Sequence, residues 1–189
     1  MEYEKILSDA LTDPENTDFT KLRLSYTSSA GYNPYDYEYE DYSTILDDIE
    51  NGKYEELCKT LDTILGKNYL NILAHLISAM VYSKIGEHKK SAQHENFAIG
   101  LLESILKSGD GHSYDTAFVV ISTSEEYAIT MIFKLSVISQ KLQKHNGRNY
   151  DVLTVREGNS EEELDIYFNV DLPLTWLDKR FKSSENKIN

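Results

Sequence analysis

Between residues 41 and 108 the chain contains no proline, and its apolar residues return at intervals of three and four. That spacing predicts helix throughout, because 3.6 residues per turn bring such positions onto one face. Leu57, Leu61, Ile64 and Leu65 make one stripe; Ala98, Leu101, Leu102, Ile105 and Leu106 make another. Gly52 and Gly86 interrupt the run and divide it into antiparallel pairs.

The two glycines stand 34 residues apart, the period of tetratricopeptide repeats, in which a glycine joins two helices. The second copy resembles such a repeat in Ala79, Tyr82, Gly86 and Ala98. The first keeps Gly52 and Tyr54 but places Ile45 and Leu57 where the repeat prefers small residues. Two copies are fewer than the three or more that a free solenoid needs, so other structure is expected to cover their open faces.

From residue 109 the grammar changes. "SGDGHS" reads as a loop, with Gly109 as the residue just past a helix end, and "TAFVVIST" as a short buried strand. In "SEEY", Ser124 is the expected N-cap of a helix, with Glu125 and Glu126 in a first turn that favours carboxylates. Residues 132–142 and 149–157 flank Asn146-Gly147, a strong hairpin signal. Leu164, Ile166, Phe168 and Val170 alternate with Asp165, Tyr167, Asn169 and Asp171, giving one dry and one wet face, and Pro173 is expected to end that strand. The reading is an α+β chain: tetratricopeptide-like helical hairpins over 1–111, packed on an antiparallel β-meander of about four strands over 112–178. Residues 179–189 are expected to be a flexible tail.

Composition narrows the function. Residues 1–66 hold 16 Asp and Glu against 5 Lys and Arg, a net of −11, which leaves −2 of the total −13 for the rest. Such a surface repels a phosphate backbone, so nucleic acid is excluded as a partner and a basic protein or peptide is favoured. No stretch approaches the roughly 18 uncharged apolar residues of a membrane span. Glu2, Glu4 and Asp9 stand where a signal peptide needs positive charge, so the chain as numbered is expected to be soluble and cytoplasmic. Cys58 is the sole cysteine; beside Leu57 and Leu61 it is expected to be an unactivated, buried thiol.

Four phrases, "DFTKLRLSYTSSAGYNPY", "GDGHSYDTAFVVISTSEEY", "YDVLTV" and "IYFNVDLPLTWL", occur in this order between Asp18 and Leu177. In these the chain resembles the bacterial family known as domain of unknown function forty-nine-nineteen. The resemblance implies a shared fold and supplies no activity, substrate or catalytic residue. Many members look like exported proteins with a leader.

The candidate surface residues are Arg23, Tyr26, Tyr32, Tyr35, His94, Asp110, His112 and Glu126. His94 flanks the buried stripe of its helix, where the ordinary role is an imidazole satisfied by a neighbouring carbonyl or carboxylate. With Asp110 and His112 it has the ligand types of a divalent metal site, but no two have the close spacing that fixes ligands on one element; no metal or other cofactor is expected. Glu125 and Glu126 beside Tyr127 offer paired carboxylates for acid–base work, although helix neighbours diverge and the first turn attracts carboxylates anyway. Arg23, in "KLRLSY" on a short helix started by Asp13-Pro14, is expected to answer the carboxylates of residues 36–48. Trp176 is expected to anchor the chain end.

In "GYNPYDYEYEDY", residues 31–42, either Asn33 caps a helix that Pro34 begins, or the stretch is extended and the helix starts near Asp41. The first functional reading is a non-enzymatic module that binds protein or peptide on an acidic surface. The others are a small-ligand or hydrolytic site at a helix–sheet seam, using His94, Asp110, His112 and Glu126, and an acidic inhibitor or immunity protein.

Overall fold

The computed structural model describes residues 2–35, 42–158 and 160–185. It is an α+β fold with its helices mostly in the first part and a four-stranded mixed sheet in the second. The described residues divide into two compact units, one up to residue 103 without 32–35, the other made of 32–35 and the residues from 104 onward.

The first unit opens with α1 (Glu2–Thr12), a 3-10 turn (Pro14–Asn16) and α2 (Phe19–Tyr26). Asp13-Pro14 starts only the 3-10 turn. The helix that carries Arg23 is started by Asp18, whose carboxylate accepts the Lys21 amide at 2.9 Å. Four helices follow: α3 (Tyr42–Glu50), α4 (Tyr54–Lys67), α5 (Ile72–Lys84) and α6 (His88–Leu106), the last of which belongs to this unit up to Glu103. The expected stripe of α4 is buried through Leu57, Leu61 and Leu65, and packs with Ile45, Ala74, Ile77 and Val81.

Gly52 and Gly86 close α3 and α5 with the same turn. Each has positive φ, 71° and 81°. The amide after each glycine reaches back five residues, Lys53 to Asp48 and Glu87 to Tyr82, and each glycine amide reaches back three, to Ile49 and Ser83. This is the Schellman arrangement, which satisfies the last helical carbonyls and favours glycine because a Cβ strains left-handed backbone. Two helix–turn–helix pairs at a 34-residue interval therefore exist in the structure.

In the second unit β1 (Phe118–Val119) is followed by α7 (Thr123–Ile132), β2 (Leu135–His145), β3 (Arg148–Glu157), β4 (Glu163–Asn169) and α8 (Asp171–Glu185). The β2–β3–β4 part is the expected meander. Asn146 and Gly147 both have positive φ, 48° and 81°, as the expected two-residue hairpin turn requires. The sheet as a whole is mixed, because β1 pairs parallel to β4 and the order is β1-β4-β3-β2. An apolar run such as "TAFVVIST" signals burial but not strand direction. Here α7 carries the chain from β1 to the opposite edge of the sheet, and the return through two hairpins brings β4 beside β1 in the same sense.

Three further expectations change. Ser122, not Ser124, is the N-cap of α7. β4 ends at Asn169 before Pro173 is reached, and Pro173 sits in the first turn of α8, where a missing amide proton costs nothing. The residues from 179 to 185 continue α8 and are not a loose tail; 186–189 lie outside the described residues.

Gly100 in α6 marks a close approach within the first unit. A Cβ there would fall 2.2 Å from the Phe19 ring, which itself meets Phe97 edge-on at 5.3 Å. Gly100→Ala should therefore destabilise the fold by about 1–3 kcal/mol by overpacking, reversing the usual helical preference for alanine. Urea unfolding of the two proteins measures it, and equal or greater stability of the variant would refute the contact.

Candidate functional site

Strand β3 alternates Asp151, Leu153, Val155 and Glu157 on one face with Tyr150, Val152, Thr154 and Arg156 on the other. Its register brings Phe168, Ile166 and Leu164 of β4 onto the first face, the dry face expected from β4's alternation. Leu135, Gln140 and Leu142 of β2 join them, with Ile138 as the extra residue where the register shifts. Helix α7 lies over this face.

The start of α7 is tied down by buried polar contacts. Glu125 turns back so that its Oε2 accepts the Ile121 amide at 2.8 Å. The Tyr32 hydroxyl donates to the Ile121 carbonyl at 2.5 Å, and the Thr123 amide donates to the Pro34 carbonyl at 3.1 Å. Tyr32 and Tyr35 each pack a ring against Trp176 of α8, at 6.3 and 6.2 Å, so Trp176 anchors its helix to residues 32–35. Asn33 Oδ1 accepts the Tyr35 amide, and Pro34 and Tyr35 form a turn; the described part of α3 runs from Tyr42. Residues 36–41, which carry most of the tyrosine–acid alternation and some of Arg23's expected partners, lie outside the described residues.

Glu126 diverges from Glu125 and points to the sheet. It is 3% exposed and lies within hydrogen-bonding reach of Asp151, which is 8% exposed. Burial holds the Glu126 carboxyl well above the usual range, reinforced by the negative charges of Asp151 and Glu125. Paired carboxyls are thus present, but the partner comes from β3 and not from the neighbouring residue. Asp151 stands on the inward face of β3 beside Leu153 and Val155, and sequence separation hid the pairing.

At the other end of α7 an open apolar pocket of about 270 Å³ is walled by Phe118, Ile129, Phe133, Leu135, Leu164 and Ile166. Asp110, His112 and Glu157 supply its polar edge. The glycine loop sets two of these. A Cβ on Gly109 would fall 2.1 Å from the Thr116 carbonyl oxygen, and Gly109 lacks the left-handed backbone of a helix-ending residue. Its smallness instead lets that oxygen accept the amides of Asp110 and Gly111 at 3.0 and 2.8 Å. Asp110 Oδ1 accepts the Thr116 hydroxyl at 2.5 Å and the His112 amide at 2.9 Å, bonds that hold its pKa below the ordinary value.

The expected surface is therefore divided. Tyr32, Tyr35, Asp110, His112 and Glu126 belong to the second unit; Arg23, Tyr26 and His94 belong to the first. Arg23 is buried at 2% exposure. Tyr26 donates its hydroxyl to the Gly31 carbonyl at 3.2 Å and packs on Tyr3. Among the described residues, no group of three or more His, Cys, Asp or Glu side chains is placed to hold a metal ion.

His94 has a partner that the helix pattern did not reveal. Its Nδ1 lies 2.9 Å from His75 Nδ1, and His75 Nε2 donates to the Tyr69 carbonyl at 2.8 Å. With its only proton so engaged, neutral His75 accepts from the Nδ1–H of His94. His94 also stacks on Tyr82, and His75 on Phe97. A family model for Domain of unknown function (DUF4919) matches residues 5–179. The chain belongs to this family. Comparison with curated proteins and with solved structures gave no match. In this DUF4919 chain no helix among the described residues is long and apolar enough to cross a membrane.

Burial lowers the His75 pKa to about 4. An unfolded chain takes up this proton near pH 6.5 whereas the folded one does not, so the stabilisation is complete above that pH and is lost as pH falls toward 4. The loss from this group amounts to about 3 kcal/mol. Urea unfolding between pH 7 and 4 should show this slope in the parent and a shallower one in His75→Gln.

Proposed function

We propose that the second unit binds a small ligand with an apolar body and a cationic end, without transforming it. The observation that carries this reading is the pocket beneath α7: six apolar walls with the carboxylates of Asp110 and Glu157 at their edge. An apolar enclosure with few polar groups is the usual form of a small-molecule site, and two carboxylates favour an amine over an acid. Asp110 is held in place by Thr116 and the His112 amide, which supports recognition of charge more than proton transfer.

The neutral fluorescent amine N-phenyl-1-naphthylamine is a suitable probe. It should bind saturably, and Ile129→Trp, which fills the pocket, should lower its affinity at least tenfold. A short alkylamine should displace it better than the matching alkyl carboxylate. Equal binding by the parent and the filled variant, each shown to be folded by circular dichroism, would defeat the reading.

A second reading rests on the first unit. Its two matched helix–turn–helix pairs and the net charge of −11 over residues 1–66 support a tetratricopeptide-like surface for a basic peptide or protein, including a basic target that the chain inhibits. Steering by such a field weakens as salt rises. Salt-sensitive binding of a lysine-rich peptide that leaves naphthylamine binding unchanged would favour this surface.

A further inference from the structure

The buried carboxyls of Glu126 and Asp151 raise a question of atoms that the pocket does not answer. Glu126 Oε1 and Asp151 Oδ1 are both buried and have no donor. Asp151 Oδ2 is already occupied, accepting the side-chain amide of Gln140 from β2. Two ionised carboxylates accept and cannot donate, so as ions they would face each other in a low-dielectric site with repulsion and two unmet acceptors. We propose that Glu126 and Asp151 form a one-proton binding site, in which a single shared proton bonds the two carboxyls and clasps α7 to β3 at neutral pH.

The groups around the pair agree with that species. Among the described residues, the charged groups that bear on Glu126 are Asp151 and Glu125, both acidic, and Glu125 is already committed to the Ile121 amide. Tyr35, from residues 32–35, feels Glu126, Asp151 and Asp178 of α8, and burial with these charges keeps its phenol protonated beyond the usual range. The β2 neighbour is the neutral Gln140 amide. Desolvation, the main influence on Glu126, opposes its ionisation. A proton satisfies both orphan oxygens at once, one carboxyl donating and the other accepting.

The folded chain then holds a proton that the unfolded chain releases above the ordinary glutamate pKa, about 4.3. Its stabilisation is complete below that value and lost as pH rises through the folded pKa, with the folding constant falling about tenfold per pH unit inside this window. Since Ile129 lies one turn beyond Glu126, the clasp also seats the helix that walls the pocket, but the proton site does not depend on any ligand there.

Infrared spectroscopy of the full chain at pH 7 tests the proposal directly. The parent should show the carbonyl stretch of a protonated carboxyl, and Glu126→Gln and Asp151→Asn should lose it. Urea unfolding from pH 5 upward should give a pH slope in the parent that is smaller by one proton in Glu126→Gln, whose amide can donate permanently to Asp151. Absence of the protonated band in the parent would overturn the proposal, as would an identical pH slope in the two proteins. A bound cation would leave both groups ionised and so falls under the first of these outcomes. Because the band is read on the parent chain, the test holds even if a variant fails to fold.

Discussion

Strand β3 is buried on both faces, and the second unit is arranged to meet that requirement. Leu153 and Val155 are almost wholly covered on one face, Tyr150 and Val152 on the other. A sheet face that carries such residues must be shielded from water, at roughly 25 cal/mol for each Å² of apolar surface removed. Helix α7 shields the first. The second is shielded by the glycine loop and its tyrosine: Tyr114 and Ala117 pack with Tyr150, Val152 and Tyr167. The Tyr114 ring also stacks on His145 and its hydroxyl donates to Gln143, fixing the loop to β2.

The two covers differ in what they leave over. The loop is closed by its own hydrogen bonds, with Gly109 making room for the Thr116 carbonyl, and it fits its face closely. Helix α7, ten residues long, meets its face differently at its two ends. At its first turns α7 places Glu126 against Asp151, and at its last it stands clear of Leu135 and Leu164, where the pocket opens. The acid pair and the pocket are thus two results of one packing arrangement, and the proposed chemistry of each follows from its surroundings: dry and acidic at one end, open and apolar with a carboxylate edge at the other.

Much of this was legible in the chain itself. The stripe of Leu57, Leu61 and Leu65, the glycines that end α3 and α5, the Asn146-Gly147 turn and the alternation of β4 are local patterns with local causes, so the residues that produce them lie within a few positions of one another. Glu125 likewise serves the first turn of its helix, as its position suggests. The parallel pairing of β1 was hidden because its partner lies about fifty residues away in sequence. The same holds for the candidate sites. His94 could be placed at the edge of a core stripe, but not beside His75, and Glu126 could be placed in a first turn, but not opposite Asp151.

By itself, then, the sequence determined the period of each segment, the identity of its buried face, the places where helices must end and the family to which the chain belongs. The first three of those depend on backbone sterics and on neighbours within a turn or a hairpin, and the last on phrases spread along the whole chain. Tertiary structure decided the direction of β1, the division of the candidate residues between two units, and which titratable groups meet. Contacts between distant segments carry no periodic signature, and the environment that shifts a carboxyl or an imidazole exists only after packing has removed the water around it.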